Sequence, residues 1–132
     1  MKVVLDTNVL ISATLWSNSV ANKLLFKLIE QESKIFISEE ILSEYGRVLI
    51  RDFDHSEEQA LQKRNNLSLL FTIVYPVRKI TAVKEDAQDD KIIECGVESL
   101  SDYIVSYDNH LLKLKKFMEI KIMSPDEILK IL

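Results

Sequence analysis

Glycine and proline are scarce in this chain, two of each among 132 residues, which excludes collagen-like, linker-rich and disordered compositions. Cysteine is scarcer still. The single Cys95 excludes an intramolecular disulfide and suits a reducing compartment. Lying among Ile92, Ile93 and Val97, it reads as an inert core thiol, not a nucleophile. No apolar run exceeds a few residues, and acidic Asp6 falls where a signal peptide would still be apolar, so neither a membrane span nor a leader is expected and the location should be cytoplasmic. The two histidines, His55 and His110, have no HExxH pattern and no cysteine partners, which argues against zinc. His110 reads as a surface residue before a general base. A glycine-rich phosphate loop and a G-x-S-x-G elbow are also missing. So is a basic excess: 17 Lys and Arg against 21 Asp and Glu give a formal charge of -4. That weakens a nucleic-acid reading without removing it, because bound cations reverse the local sign of an acidic site.

The length, and the 47% of residues that are hydrophobic, suit one domain over residues 1–132 with a sizeable core. Short runs rich in β-branched residues at 3–5, 34–37, 72–75, 103–106 and 120–123 predict five strands. Helical patterns separate them. Val20, Ala21, Leu24, Leu25, Leu28 and Ile29 follow the capping stretch Ser17-Asn18-Ser19; Ile41, Leu42, Tyr45, Val48 and Leu49 follow Ser38-Glu39-Glu40. Ser56-Glu57-Glu58-Gln59 has capping-box form, with Ala60, Leu61 and Leu67 as inward candidates. Ile92, Ile93, Gly96, Val97 and Leu100 follow Asp86-Ala87-Gln88-Asp89-Asp90, and Gly96 within that helix suggests close packing. Ser124-Pro125-Asp126-Glu127 starts the last helix. This alternation predicts an α/β fold of three layers, α/β/α, with a five-stranded parallel sheet and right-handed crossovers.

The acids fall where such a sheet would bind a ligand. Asp6 ends the first strand and Asp108 follows the fourth, and ligands bind open α/β sheets at the strands' carboxyl ends, at the switch point of chain order. Glu44 lies at the edge of a buried helical stripe, with an i,i+3 pair to Arg47 as its plain alternative. Asp89 leads into strand four. Helix capping would explain Asp6, and it would explain one acid of the 86–90 group but not three. Four carboxylates from four segments need a cation, and all-oxygen ligation suits Mg²⁺ or Mn²⁺.

Val-Leu-Asp6-Thr-Asn8-Val-Leu, Ser38-x5-Glu44, Asp89-x-x-Ile92-x-x-x-Gly96 and Asp102-Tyr-Ile-Val-Ser106-x-Asp108 together resemble the PIN-domain ribonucleases, in order and over nearly the whole chain. The resemblance extends to the single-domain prokaryotic branch that includes the toxins of VapBC-type toxin-antitoxin pairs. It implies strand order 3-2-1-4-5 and a metal site of Asp6, Glu44, Asp89 and Asp108, with Asp90 sharing or replacing the role of Asp89. Asn8 and Ser106 match supporting positions that orient those carboxylates. At His110 related sequences often carry another acid, so an accessory metal contact there is not carried over. The implied activity is Mg²⁺- or Mn²⁺-dependent hydrolysis of RNA to 5′-phosphate and 3′-hydroxyl ends. Implied partners are RNA, a small antitoxin protein and a second copy of the chain. Arg47, Arg51, Lys113, Lys115 and Lys116 are candidate phosphate contacts by position, with solvated surface charge as the plain alternative.

Two other readings fit the skeleton. A phosphoacceptor receiver module also binds Mg²⁺ at strand ends, but needs an acidic pair near strand one and a lysine after strand five; here Lys2 precedes Asp6, and Met123-Ser124 closes that strand. A PIN domain acting mainly as a protein-binding partner would not require the intact acid set.

Overall fold

Most strands and helices begin where the hydrophobic period changes, and the computed structural model, which describes residues 1–83 and 89–132, orders them as an alternating α/β chain. The order is β1 (Lys2–Leu5), α1 (Thr7–Leu15), α2 (Val20–Glu30), β2 (Lys34–Ser38), α3 (Glu39–Asp52), α4 (Glu57–Leu70), β3 (Thr72–Val74), α5 (Asp90–Ser99), β4 (Tyr103–Val105), α6 (Asn109–Leu112), β5 (Lys116–Phe117), β6 (Ile120–Met123) and α7 (Pro125–Leu129). Of the acidic run before α5, Asp86 lies outside the described residues.

The sheet order is β3-β2-β1-β4-β6-β5. Parallel pairing runs through Val3↔Ile35, Val4↔Ile104 and Ile104↔Ile122. The expected strand order is therefore present, but the sheet has six strands, not five. The extra strand is β5, which pairs antiparallel with β6 through Lys116↔Lys121 and Phe117↔Ile120. Lys115 and Met118 bracket it with φ values of 60° and 52°, a left-handed turn conformation that doubles the chain back on the sheet edge. Two residues carry no period from which to read a strand.

Val3, Val4, Ile104 and Val105 are fully buried, as central strands of a parallel sheet must be. Helices flank the sheet, α5 packing on β1, β2 and β4 while α2 meets α1 and α7. No helix among the described residues is long and apolar enough to cross a membrane. Helix α1 has no amphipathic period because Thr7, Val9, Leu10, Ile11 and Ala13 are all buried, and a helix hydrophobic nearly all round does not announce itself by alternation of faces. Gly96 is a close approach, as its place in the helix suggested: a Cβ there would lie 2.9 Å from Ile104 Cδ1.

Three expected core residues are exposed. Ile29 is open because it falls one step round from Leu28 in the last turn of α2, whose buried face is Ala21, Leu24, Leu25 and Leu28. Leu61 is open because α4 is moored through Ala60 and Leu67, seven residues apart, and Leu61 falls one step round from that stripe. Leu100 is open because α5 stops before it; Leu100 is the C-cap at φ 53°, its N–H bonded back to Gly96 and Val97.

Candidate metal centre

Strand β1 delivers Asp6 to the carboxyl end of the sheet beside β4, where the Asp6 N–H donates to the Val105 carbonyl at 2.9 Å. Since β2 lies on one side of β1 and β4 on the other, this is the reversal of chain order at which open α/β sheets form their crevice. Asp6 is also the N-cap of α1, its Oδ1 accepting from the Thr7 N–H at 2.7 Å. Cap and site residue are one side chain. Its Oδ2 accepts from Ser106 Oγ at 2.7 Å, and that same Oγ accepts from the Asp108 N–H at 2.9 Å. One buried hydroxyl thus ties the acid of β1 to the acid after β4.

Asp6 is 5% exposed, and burial pushes its carboxyl up to about 6. The Ser106 and Thr7 hydrogen bonds oppose the rise, while the charges of Glu44 and Asp108 add to it. A carboxylate so placed is relieved by a cation. The space for one is a cavity of about 290 Å³ lined by Asp6, Thr7, Asn8, Glu44, Arg47, Val48, Arg51, Asp89 and Asp108. Its carboxyl oxygens come from the end of β1, from α3, from the start of α5 and from the residue before α6. This donor set is the hard, all-oxygen kind that fits Mg²⁺ or Mn²⁺.

All four expected ligand acids therefore line one cavity, and Asp90 does not. Asp90 Oδ1 accepts the N–H groups of Ala82 and Val83 at 2.9 and 2.8 Å, and the residue faces a neighbouring cleft of about 630 Å³. Asp89, the N-cap of α5, makes no side-chain capping bond. Asn8 is exposed at the cavity wall, so the hydroxyl of Ser106 is what joins two of the carboxylates.

The basic candidates divide. Arg47 and Arg51 line the cavity, but Arg51 is held by Asp52 through Nε–Oδ1 and Nη2–Oδ2 contacts of 2.9 and 2.8 Å. Lys113, Lys115 and Lys116 are exposed on the segment after α6 and line none of that cavity.

Two residues here escaped sequence reasoning. Lys91, its side chain 12% exposed, forms an ion pair with Glu44, replacing the Glu44–Arg47 pair that helix spacing offered. No short-range spacing signals this pair, because Glu44 lies 47 residues away on another helix. Thr7, 2% exposed, is among the lining residues, and its buried Oγ1 has no hydrogen-bond partner.

A match to the PIN domain spans residues 2–110. The chain is 28% identical, over 142 aligned positions, to the uncharacterized protein MJ1680 of Methanocaldococcus jannaschii, covering 98% of this chain and 90% of that protein. Among solved structures it resembles VapBC-1 from nontypeable Haemophilus influenzae, with TM-score 0.65, 13% identity and coverage of 96% of this chain and 99% of the other. It also resembles VapBC2 from Rickettsia felis bound to a DNA fragment from its promoter, with TM-score 0.62, 17% identity and coverage of 94% and 98%. At these identities the two structures speak to the fold alone. The family match covers most of the chain and includes every carboxylate of the cavity, and with it this chain belongs to the PIN-domain family.

Proposed function

We propose that this protein is a Mg²⁺- or Mn²⁺-dependent endoribonuclease and the toxin of a toxin-antitoxin pair. The observation that carries the catalytic reading is the convergence of Asp6, Glu44, Asp89 and Asp108 on one cavity, with Asp6 pushed up to about 6 by burial and by its acidic neighbours. These four side chains would hold the ion. When bound, it supplies a water of lowered pKa and stabilises charge on the leaving oxygen.

The chain's own groups do the positioning. Ser106 fixes Asp6 by donating to it and Asp108 by accepting from its N–H, and Lys91 fixes Glu44. Arg47, at the rim, is the cation placed to meet a substrate phosphate. Hydrolysis to 5′-phosphate and 3′-hydroxyl ends means that a water oxygen bonds to phosphorus as the P–O3′ bond breaks.

The toxin assignment is supported by the family and by likeness of fold to VapBC-1 and VapBC2. It brings with it an antitoxin protein, a homodimer, a cytoplasmic location and a single functional domain over 1–132. The test is cleavage of single-stranded RNA by the purified chain. Activity should require Mg²⁺ or Mn²⁺ and vanish with EDTA and in Asp6→Asn, whereas cleavage surviving both would sink the site. Co-purification with the product of an adjacent small reading frame tests the toxin assignment separately.

A further inference from the structure

His110 is half-exposed, yet one of its ring nitrogens is not at the surface. Its backbone N–H donates to Asp108 Oδ1 at 2.7 Å, and Nδ1 lies 3.8 Å from the same oxygen. Nδ1 is buried without a hydrogen-bond partner. A ring nitrogen of His110 and carboxylate oxygens of Asp89 and Asp108 all lie within 4.8 Å of one another. Ligands at 2.0 to 2.2 Å from one ion stand up to roughly 4.4 Å apart, so a small inward movement brings all three onto a single cation. Thr7, 2% exposed and with an Oγ1 that has no hydrogen-bond partner, is among the residues lining the cavity that Asp89 and Asp108 share.

We propose that Asp89, Asp108 and His110 form a mixed oxygen–nitrogen cation position that takes Mn²⁺ in preference to Mg²⁺. The inference rests on the metal-site reading above and sharpens it. Oxygen ligands alone serve Mg²⁺ and Mn²⁺ alike, whereas an imidazole is a softer donor that favours a transition ion and gives Mg²⁺ little. His110 thereby makes the choice of metal a property of this chain's own sequence.

The test titrates the full chain with MnCl₂ and with MgCl₂ by calorimetry, and records pulsed EPR of the Mn²⁺-loaded protein. The expected result is Mn²⁺ bound about tenfold or more tighter than Mg²⁺, the scale of effect that single groups around a metal exert, with a ¹⁴N coupling in the EPR signal. In His110→Asn, and in His110→Gln as a second variant, the coupling disappears and the Mn²⁺ advantage shrinks to about threefold or less. Mn²⁺ binding without ¹⁴N coupling in the wild type, or an unchanged Mn²⁺ advantage in both variants, overturns the role of His110 while leaving the carboxylate site standing. Failure of the wild type to bind either ion overturns the metal-site reading and this inference with it.

Discussion

Two groups of acids meet at the start of α5, where Asp89 adjoins Asp90, and they have different surroundings. Along α5, Asp90, Glu94 and Glu98 recur every four residues and hold the extended chain before the helix. Glu98 Oε1 accepts from the Val77 N–H, Glu94 Oε2 from Ile80, and Asp90 Oδ1 from Ala82 and Val83, at 2.8 to 3.0 Å. At the carboxyl end of the sheet, Asp6, Glu44, Asp89 and Asp108 come from four separate segments and face one cavity. The residue types are the same. The difference lies in where they point: the helix acids each meet N–H groups of the 77–83 segment, whereas the sheet acids, although Asp6 and Asp108 also accept a backbone N–H and Glu44 pairs with Lys91, share one cavity. Successive helical residues point about 100° apart, so Asp89, Asp90 and Lys91 go to the cavity, to the backbone and to Glu44 respectively. One turn of α5 serves both groups.

The contrast is broken most severely at its junction. Asp89→Asn should lower RNA hydrolysis on the order of 10²- to 10³-fold, as loss of a charge-stabilising group does, with the melting temperature kept. Asp90→Ala should do the reverse. It strips the acceptor from two backbone N–H groups, one of them buried, and should destabilise the fold by about 2–4 kcal/mol while Mn²⁺ affinity of the folded protein stays within a fewfold. Denaturant melts and calorimetry on the two variants distinguish the roles. A stable Asp90→Ala that no longer binds metal would exchange them.

How far these placements were legible in sequence follows from which physics each depends on. Asp6, Glu44 and Asp108 were readable because a strand that stops on an acid, or an acid on the edge of an apolar stripe, departs from a one-dimensional pattern. The parallel order of the main strands was readable for the same reason: β-branched runs alternate with amphipathic ones. Asp89 and Asp90 are adjacent acids in one motif, and only the path of the 77–83 segment across α5 separates them. Lys91 was missed because its partner Glu44 is 47 residues away, and no spacing rule reaches that far. Helix α1 and strand β5 were missed for opposite reasons, one being buried nearly all round and the other only two residues long. Ile29, Leu61 and Leu100 were misplaced because apolar identity was taken as inwardness, while stripe phase and the helix stop decided their exposure.

A smaller effect sharpens the comparison through pH. Burial raises Asp6 from 3.8 to about 6, so its contribution to stability is fully present below about 3.8 and is lost as pH rises through about 6. Ionised, Asp6 destabilises the metal-free fold. Asn keeps a capping oxygen for α1 and has no charge to bury. Metal-free Asp6→Asn should therefore match the wild type near pH 3.5 and become more stable than it as pH rises to 7, by up to roughly 3 kcal/mol. Urea melts across that range measure the difference, and saturating Mn²⁺ should reverse its sign by stabilising only the wild type. Asp90→Asn, which removes charge from an acid that faces backbone donors, should be less stable than the wild type at pH 7. The same substitution in the two groups is thus expected to give opposite signs.

The smallest effect lies at the far end of the α5 series. Asp90 and Glu94 are 8% and 7% exposed, but Glu98 is exposed and its bond to the Val77 N–H lies at the surface. Water can replace that acceptor. Glu98→Ala should change stability by only a few tenths of a kcal/mol, as surface substitutions do, while Glu94→Ala leaves the Ile80 N–H without its acceptor in a half-buried setting and should cost about 1–3 kcal/mol. A graded series from Asp90 to Glu98 in urea melts would mean that the acids act one by one, each by the burial of its own donor. Equal losses at all three would mean that the 77–83 segment releases as a unit, and the holding function would then belong to the row rather than to its members.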